Sequence, residues 1–172
     1  MRGSSSRVAL LIVLGSALAA LPGCGGDVDA LTRDEYVRQV NGLCAEAVST
    51  TEGLIAGVFE ELSESGRLPE KPTPAESQAV YTAVLPAARE SERVIRKLLE
   101  ELRALAAPTE LADEAEELWD AYEDRVEIGL RRIEEATVDV DAAIALEADD
   151  SIPFTPENTR AAELGFTACR FV

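Results

Sequence analysis

The residues best suited to chemistry in this chain are three cysteines, Cys24, Cys44 and Cys169, and a large number of carboxylates. The sequence contains no histidine, which is the commonest general base and the commonest metal ligand in proteins. The Glu-x-x-His motif of di-iron helical bundles is therefore absent. The glycines beside Cys24 precede no strand and helix unit, so they do not form a phosphate-binding loop. These observations favour a non-enzymatic protein without a cofactor and argue against a hydrolase.

Cys24 follows a segment that has the three parts of a secretory signal. Arg2 and Arg7 provide a positive start, and residues 8–20 form an apolar stretch shorter than the ~20 residues of a spanning helix. The sequence Leu21-Pro22-Gly23-Cys24 resembles the lipobox of bacterial lipoproteins, although that family usually has a small residue in place of the proline. The resemblance implies cleavage before Cys24, with diacylglycerol on its sulfur and palmitate as a further acyl group. The alternatives are an ordinary signal peptide with a cysteine nearby by chance, or an uncleaved anchor.

If Cys24 carries the lipid, Cys44 and Cys169 are the two cysteines that remain. An exported protein lies in an oxidising compartment, where two thiols can form a disulfide. We therefore predict a Cys44–Cys169 disulfide, which leaves no thiolate for a metal such as zinc. Two buried free thiols are the alternative.

The chain is strongly acidic, with 16 Lys and Arg against 33 Asp and Glu and a formal net charge of −17. Nucleic acid is not expected as a partner, because phosphate binding requires a basic face. The carboxylates between Asp113 and Glu135 could supply a general acid and base, or bind Ca²⁺. They alternate with arginines on the polar side of a predicted helix, so a solvated face is the preferred interpretation.

Amphipathic helices are predicted to position these residues, beginning with two long ones. The first begins at a capping box formed by Thr32 and Glu35, and its apolar face continues to a stop at Gly66. The second begins at Thr73, with proline at its first helical position. Pro86 lies inside this helix, where a proline removes one hydrogen bond. The apolar periodicity resumes soon after it and no glycine or capping pattern accompanies it, so we expect a kink there rather than a helix end.

A third long helix and a short fourth one complete the predicted fold. The third begins near Thr109, and its apolar stripe extends to Leu146, with an interruption conceivable at the β-branched residues 137–140. The fourth begins at Thr155 and carries Cys169 on its apolar side. Long amphipathic helices joined by short proline-containing turns predict an all-α, up-and-down helical bundle of three long helices plus a short C-terminal helix.

Four further side chains have two interpretations each. Trp119 and Tyr122 share the apolar face of the third helix, which favours core packing over a ligand-binding shelf. Gln39 and Asn41 either make exposed contacts or bond a neighbouring backbone, and the sequence does not distinguish the two.

The run Tyr36-Val-Arg-Gln-Val-Asn-Gly-Leu-Cys44, with the late run Leu164-Gly-Phe-Thr-Ala-Cys169, resembles a group of small uncharacterised envelope lipoproteins of high-GC Gram-positive bacteria. The resemblance covers most of the chain after the lipobox. It implies a helical, disulfide-closed extracytoplasmic domain and brings no activity with it.

These observations predict a lipoprotein signal peptide at residues 1–23, a tether at 24–31 and a bundle domain at 32–172. We expect a lipoprotein anchored by its N-terminal lipid on the extracytoplasmic face of the cell membrane. Its expected role is that of a non-enzymatic binding or interaction module, with an envelope protein as the candidate partner. The alternative is a small-ligand or cation-binding lipoprotein that serves a membrane transport or sensing system.

Overall fold

The computed structural model of the chain describes residues 31–147 and 154–171, which form a helical bundle. The predicted signal peptide, the predicted lipid attachment at Cys24 and residues 25–30 of the predicted tether lie outside the described residues. This part of the chain contains no strand, and none of its helices has the length and apolar composition needed to cross a membrane. The predicted all-α class is confirmed. The helices are α1 (Arg33–Glu64), α2 (Pro74–Arg103), α3 (Thr109–Val138), α4 (Val140–Glu147) and α5 (Thr155–Leu164).

Capping boxes begin α1 and α2, as the sequence predicts. The Thr32 hydroxyl accepts a hydrogen bond from the Glu35 backbone N–H at 3.4 Å, and the Glu35 carboxylate accepts one from the Thr32 N–H at 3.2 Å. Thr73 and Glu76 repeat this arrangement at 3.4 and 2.7 Å. Each box satisfies two backbone donors that have no partner within the helix.

Helix α2 continues through its internal proline. It is unbroken from Pro74 to Arg103, with Pro86 inside it, so the proline does not end the helix. Val84 and Ala87 on either side are buried. Packing of this apolar face compensates for the hydrogen bond that the proline removes. The degree of bending at this position stays a prediction.

The third helix is shorter than predicted. Helix α3 ends at Val138, Asp139 is extended, and the chain re-enters a helix as α4 one residue later. The Asp139 carboxylate accepts from the backbone N–H of Asp141 at 2.9 Å and of Ala142 at 3.4 Å, which is the geometry of an N-cap. The interruption that the sequence left open at residues 137–140 is therefore present, and the bundle has two short helices instead of one.

Helices α2 and α3 lie at the centre of the bundle. Helix α2 packs against α1, α3 and α4, and α3 packs against α2, α4 and α5. The core is mainly aliphatic, with five buried aromatic side chains, Tyr36, Trp119, Tyr122, Phe166 and Phe171. Trp119 stacks on Phe166 with ring centroids 5.4 Å apart. The prediction that Trp119 and Tyr122 pack in the core is confirmed, because both are at most 1% exposed.

The C-terminal segment, residues 165–171, turns back from α5 toward α1. Gly165 makes this turn with φ 92°, a left-handed conformation that glycine adopts without steric cost. Cys169 therefore lies beyond α5, and its predicted place on that helix is wrong. Its predicted disulfide with Cys44 is confirmed, with the two Cα atoms 4.9 Å apart and both side chains fully buried.

Candidate functional site

Asn41 of α1 holds the C-terminal segment from one side. Its side-chain amide donates to the carbonyl of Gly165 at 2.9 Å, and its side-chain oxygen accepts from the N–H of Ala168 at 2.8 Å. Of the two roles left open by the sequence, Asn41 therefore bonds a neighbouring backbone. Gln39, two residues earlier, is exposed.

Tyr122 of α3 holds the same segment from the other side. Its hydroxyl donates to the carbonyl of Cys169 at 2.7 Å. Burial raises the pKa of Tyr122, and the negative charge of Glu157 raises it further. The hydroxyl therefore stays a neutral donor over the physiological pH range. The C-terminal segment joins α1 to α3 and fills the space between them at the level of the disulfide.

A partly open cavity of about 350 Å³ lies beyond this segment, between α1, α2 and α3. Phe154 and Phe171 bound it on the side of the C-terminal segment. The volume is more than twice the ~150 Å³ of an engineered cavity that holds benzene, and it reaches the ~300 Å³ of the smallest typical ligand sites. Nearly all of the wall is apolar. The aliphatic side chains in the wall are Ile55, Ala88, Ile95, Val126, Leu130 and Ile133.

Ser91 of α2 places a hydroxyl in this apolar wall. Its Oγ is buried and has no hydrogen-bond partner among the described residues. A serine inside a helix commonly donates to the carbonyl four residues earlier, but Ser91 makes no such bond to Ala87. A buried hydroxyl without a partner costs free energy and is uncommon in folded proteins. Ser91 is therefore available to bond a molecule in the cavity.

Two charged side chains also line the cavity, and each is paired with an opposite charge. The Glu92 carboxylate accepts from Arg96 at 2.7 Å, and the Arg125 guanidinium lies 3.2 Å from the buried carboxylate of Glu157. A buried carboxylate is costly unless it is paired in this way. Each of the two charged side chains in the cavity wall therefore has a partner of opposite charge.

Gly129 of α3 gives the cavity part of its volume. A glycine inside a helix costs roughly 1 kcal/mol relative to alanine. Close packing of a neighbour often explains such a glycine, but a Cβ at Gly129 would meet no atom within 4 Å. The missing side chain therefore leaves open space in the cavity wall.

The acidic face of α3 joins helices and does not converge on a site. Glu116, Asp120 and Glu123 each bond Arg103 of α2, at 3.0, 2.7 and 2.9 Å. Burial lowers the pKa of Arg103, but the hydrogen bonds to the three carboxylates outweigh this effect and raise it. Within residues 31–147 and 154–171, no three His, Cys, Asp or Glu side chains are grouped so that they could hold a metal ion.

Ser91 and Gly129 did not stand out in the sequence. The signal in the sequence is that both are small residues within an apolar helical stripe. Ser91 lies four residues before Ile95, and Gly129 lies between Val126 and Ile133. Two small residues on facing stripes indicate local under-packing, but only the three-dimensional arrangement shows that they face the same space.

Comparison of the chain with protein-family models, curated proteins and solved structures finds no match. Functional inference therefore rests on the cavity and on the sequence.

Proposed function

We propose that this protein is a non-enzymatic lipoprotein on the extracytoplasmic face of the cell membrane that binds a small apolar ligand between α1, α2 and α3. The cavity is the observation that carries the proposal. Protein interiors are normally packed without voids much larger than a water molecule. A ligand-sized apolar space whose wall holds a buried, unpartnered hydroxyl is typical of a binding site.

The lipobox resemblance of residues 21–24 supports the proposed anchor. Leu31 is the first residue that the structure describes, and its backbone N–H donates to the carbonyl of Ala106 at 3.1 Å. The tether therefore joins the domain where α1 begins and α2 ends. Seven residues from 25 to 31 span at most about 25 Å, so the anchored domain lies near the bilayer, a reservoir of apolar molecules.

We also infer that the three long helices run up and down. The backbone N–H of Leu31, just before α1, donates to the carbonyl of Ala106, just after α2. The side-chain amide of Gln78, near the start of α2, donates to the carbonyl of Thr137, near the end of α3, at 3.1 Å. Arg103 at the end of α2 pairs with Glu116 near the start of α3 at 3.0 Å. Contacts of this kind are expected between antiparallel neighbours.

The anchor is tested by Cys24→Ser, because serine has no sulfur to form the thioether. We expect wild-type protein to partition into the detergent phase on Triton X-114 separation. The variant should remain unprocessed or appear in the aqueous phase. If Cys24→Ser partitions and is processed like wild type, the lipobox interpretation is wrong.

Ligand binding is tested by native mass spectrometry of the full chain purified from membranes. Gly129→Leu places a side chain in the cavity. Gly57→Leu is the matched control, because Gly57 is an exposed glycine of α1 whose Cβ would also meet no atom within 4 Å. We expect wild type and Gly57→Leu to retain a bound small molecule and Gly129→Leu to lose it. Equal retention by all three proteins, or none by any, would contradict the proposal.

A further inference from the structure

We infer that the cavity selects a compact hydrocarbon carrying one neutral hydrogen-bonding group, an alcohol or a ketone, and that Ser91 is the residue that recognises this group. This inference rests on the proposed function. It adds the chemical class of the ligand and the residue that determines specificity.

The shape of the ligand follows from the wall. The aliphatic side chains from three helices and the rings of Phe154 and Phe171 surround a volume of about 350 Å³. Apolar surface that leaves water contributes favourably in proportion to its area. A volume at the lower end of typical ligand sites favours a compact cyclic or branched hydrocarbon over a long acyl chain.

The polar group of the ligand follows from Ser91. A serine hydroxyl can donate one hydrogen bond and accept others, so it can bond a carbonyl oxygen or an alcohol. Its Oγ has no partner among the described residues. A ligand that bonds it gains a hydrogen bond without breaking one within the protein.

The charge of the ligand follows from Glu92 and Arg125. Glu92 is paired with Arg96 and Arg125 with Glu157, so neither side chain offers an uncompensated charge to the cavity. Burying an ionised group without an opposite charge is strongly unfavourable. The cavity should therefore discriminate against carboxylates and amines that have the same hydrocarbon body.

Four probes built on the same hydrocarbon skeleton separate these contributions: p-menthane, menthol, menthone and p-menthane-3-carboxylate. Their dissociation constants are to be measured with the full-length chain in detergent micelles of one composition, with partitioning into protein-free micelles subtracted. A net hydrogen bond predicts that menthol and menthone bind about fivefold more tightly than p-menthane. The ionised p-menthane-3-carboxylate should bind most weakly.

Two variants test whether Ser91 causes the preference for menthol and menthone over p-menthane. Ser91→Ala removes a hydroxyl that has no partner, so we expect the fold to be retained, with an unfolding midpoint at or above that of wild type. In this variant menthol, menthone and p-menthane should bind equally, with the affinity for p-menthane unchanged. Gly129→Leu should bind none of the probes.

If Ser91→Ala keeps the preference for menthol, or if wild type binds p-menthane-3-carboxylate most tightly, the inferred ligand class is wrong while the proposed binding function stands. If wild type binds none of the four probes, both are overturned. If Gly129→Leu binds them as wild type does, the site lies elsewhere and both are again overturned.

Discussion

Replacing both cysteines of the disulfide with alanine should remove a large share of the stability of the domain. The bond joins residues 125 apart in sequence. In the chain-entropy description, closing a loop of this length stabilises the folded state by about 5 kcal/mol, and measured values are often lower. We expect the double variant Cys44→Ala, Cys169→Ala to lose about 3–5 kcal/mol. Domains of this size have a total stability of roughly 5–15 kcal/mol.

Urea unfolding followed by tryptophan fluorescence measures this loss. Trp119 is the only tryptophan in the chain and stacks on Phe166 of the C-terminal segment, so its emission reports the segment that the disulfide holds. With a denaturant dependence of about 2 kcal/mol per molar urea, the midpoint should fall by roughly 2 M. Reduced wild type should match the variant, and a reductant should leave the variant unchanged. A variant midpoint equal to that of oxidised wild type would refute the reasoning.

Three further predictions use single substitutions. Gly129→Ala should raise the free energy of unfolding by about 1 kcal/mol, because it removes a glycine from a helix without a clash; a lower urea midpoint would contradict this. Asn41→Ala should cost about 2–3 kcal/mol and speed amide exchange in residues 165–171, because it leaves a carbonyl and an N–H without their partner; unchanged exchange would argue against this role. Hydrogen bonds from the backbone and side chain of Thr73 lower the pKa of Glu76 from 4.5. The stability that Glu76 contributes is therefore present above pH 4.5 and is lost as the pH falls through the lowered pKa. The melting temperatures of wild type and Glu76→Gln should accordingly converge in acid. A difference in melting temperature that does not change with pH would contradict this.

Local chemistry explains why the helix starts could be predicted. A capping box lies within four consecutive residues, so Thr32 with Glu35 and Thr73 with Glu76 specify their helix starts without reference to the rest of the fold. The disulfide could be predicted for a different reason. If the chain is exported and Cys24 carries the lipid, as predicted, a single pairing remains, Cys44 with Cys169, wherever the helices pack.

The break between α3 and α4 and the early end of α5 have identifiable physical causes. The apolar periodicity continues across residues 137–140, but Asp139 can cap a new helix, and this capping outweighs the continuity of the stripe. Similarly, Gly165 ends α5 through its left-handed conformation, although apolar residues continue at helical spacing as far as Cys169. In both cases a helix-terminating signal lay within an apolar pattern that looked continuous.

The cavity could not be predicted, because it depends on how distant elements meet. Ile55, Ile95 and Ile133 fit the apolar stripes of three separate helices, and a stripe shows only which face points inward. Whether the inward faces touch depends on where the C-terminal segment stops between α1 and α3. That position is set by the disulfide and by the hydrogen bonds of Asn41 and Tyr122.

Isoleucine δ1-methyl NMR of the full-length chain, titrated with menthol, tests the binding claim most directly. Ile55, Ile95 and Ile133 line the cavity, whereas Ile128 and Ile144 do not and serve as internal controls. The proposed function predicts saturable shifts at the three cavity methyls, little change at the two controls, and no response in Gly129→Leu. An absence of shifts in wild type, or the same shifts in Gly129→Leu, would contradict it.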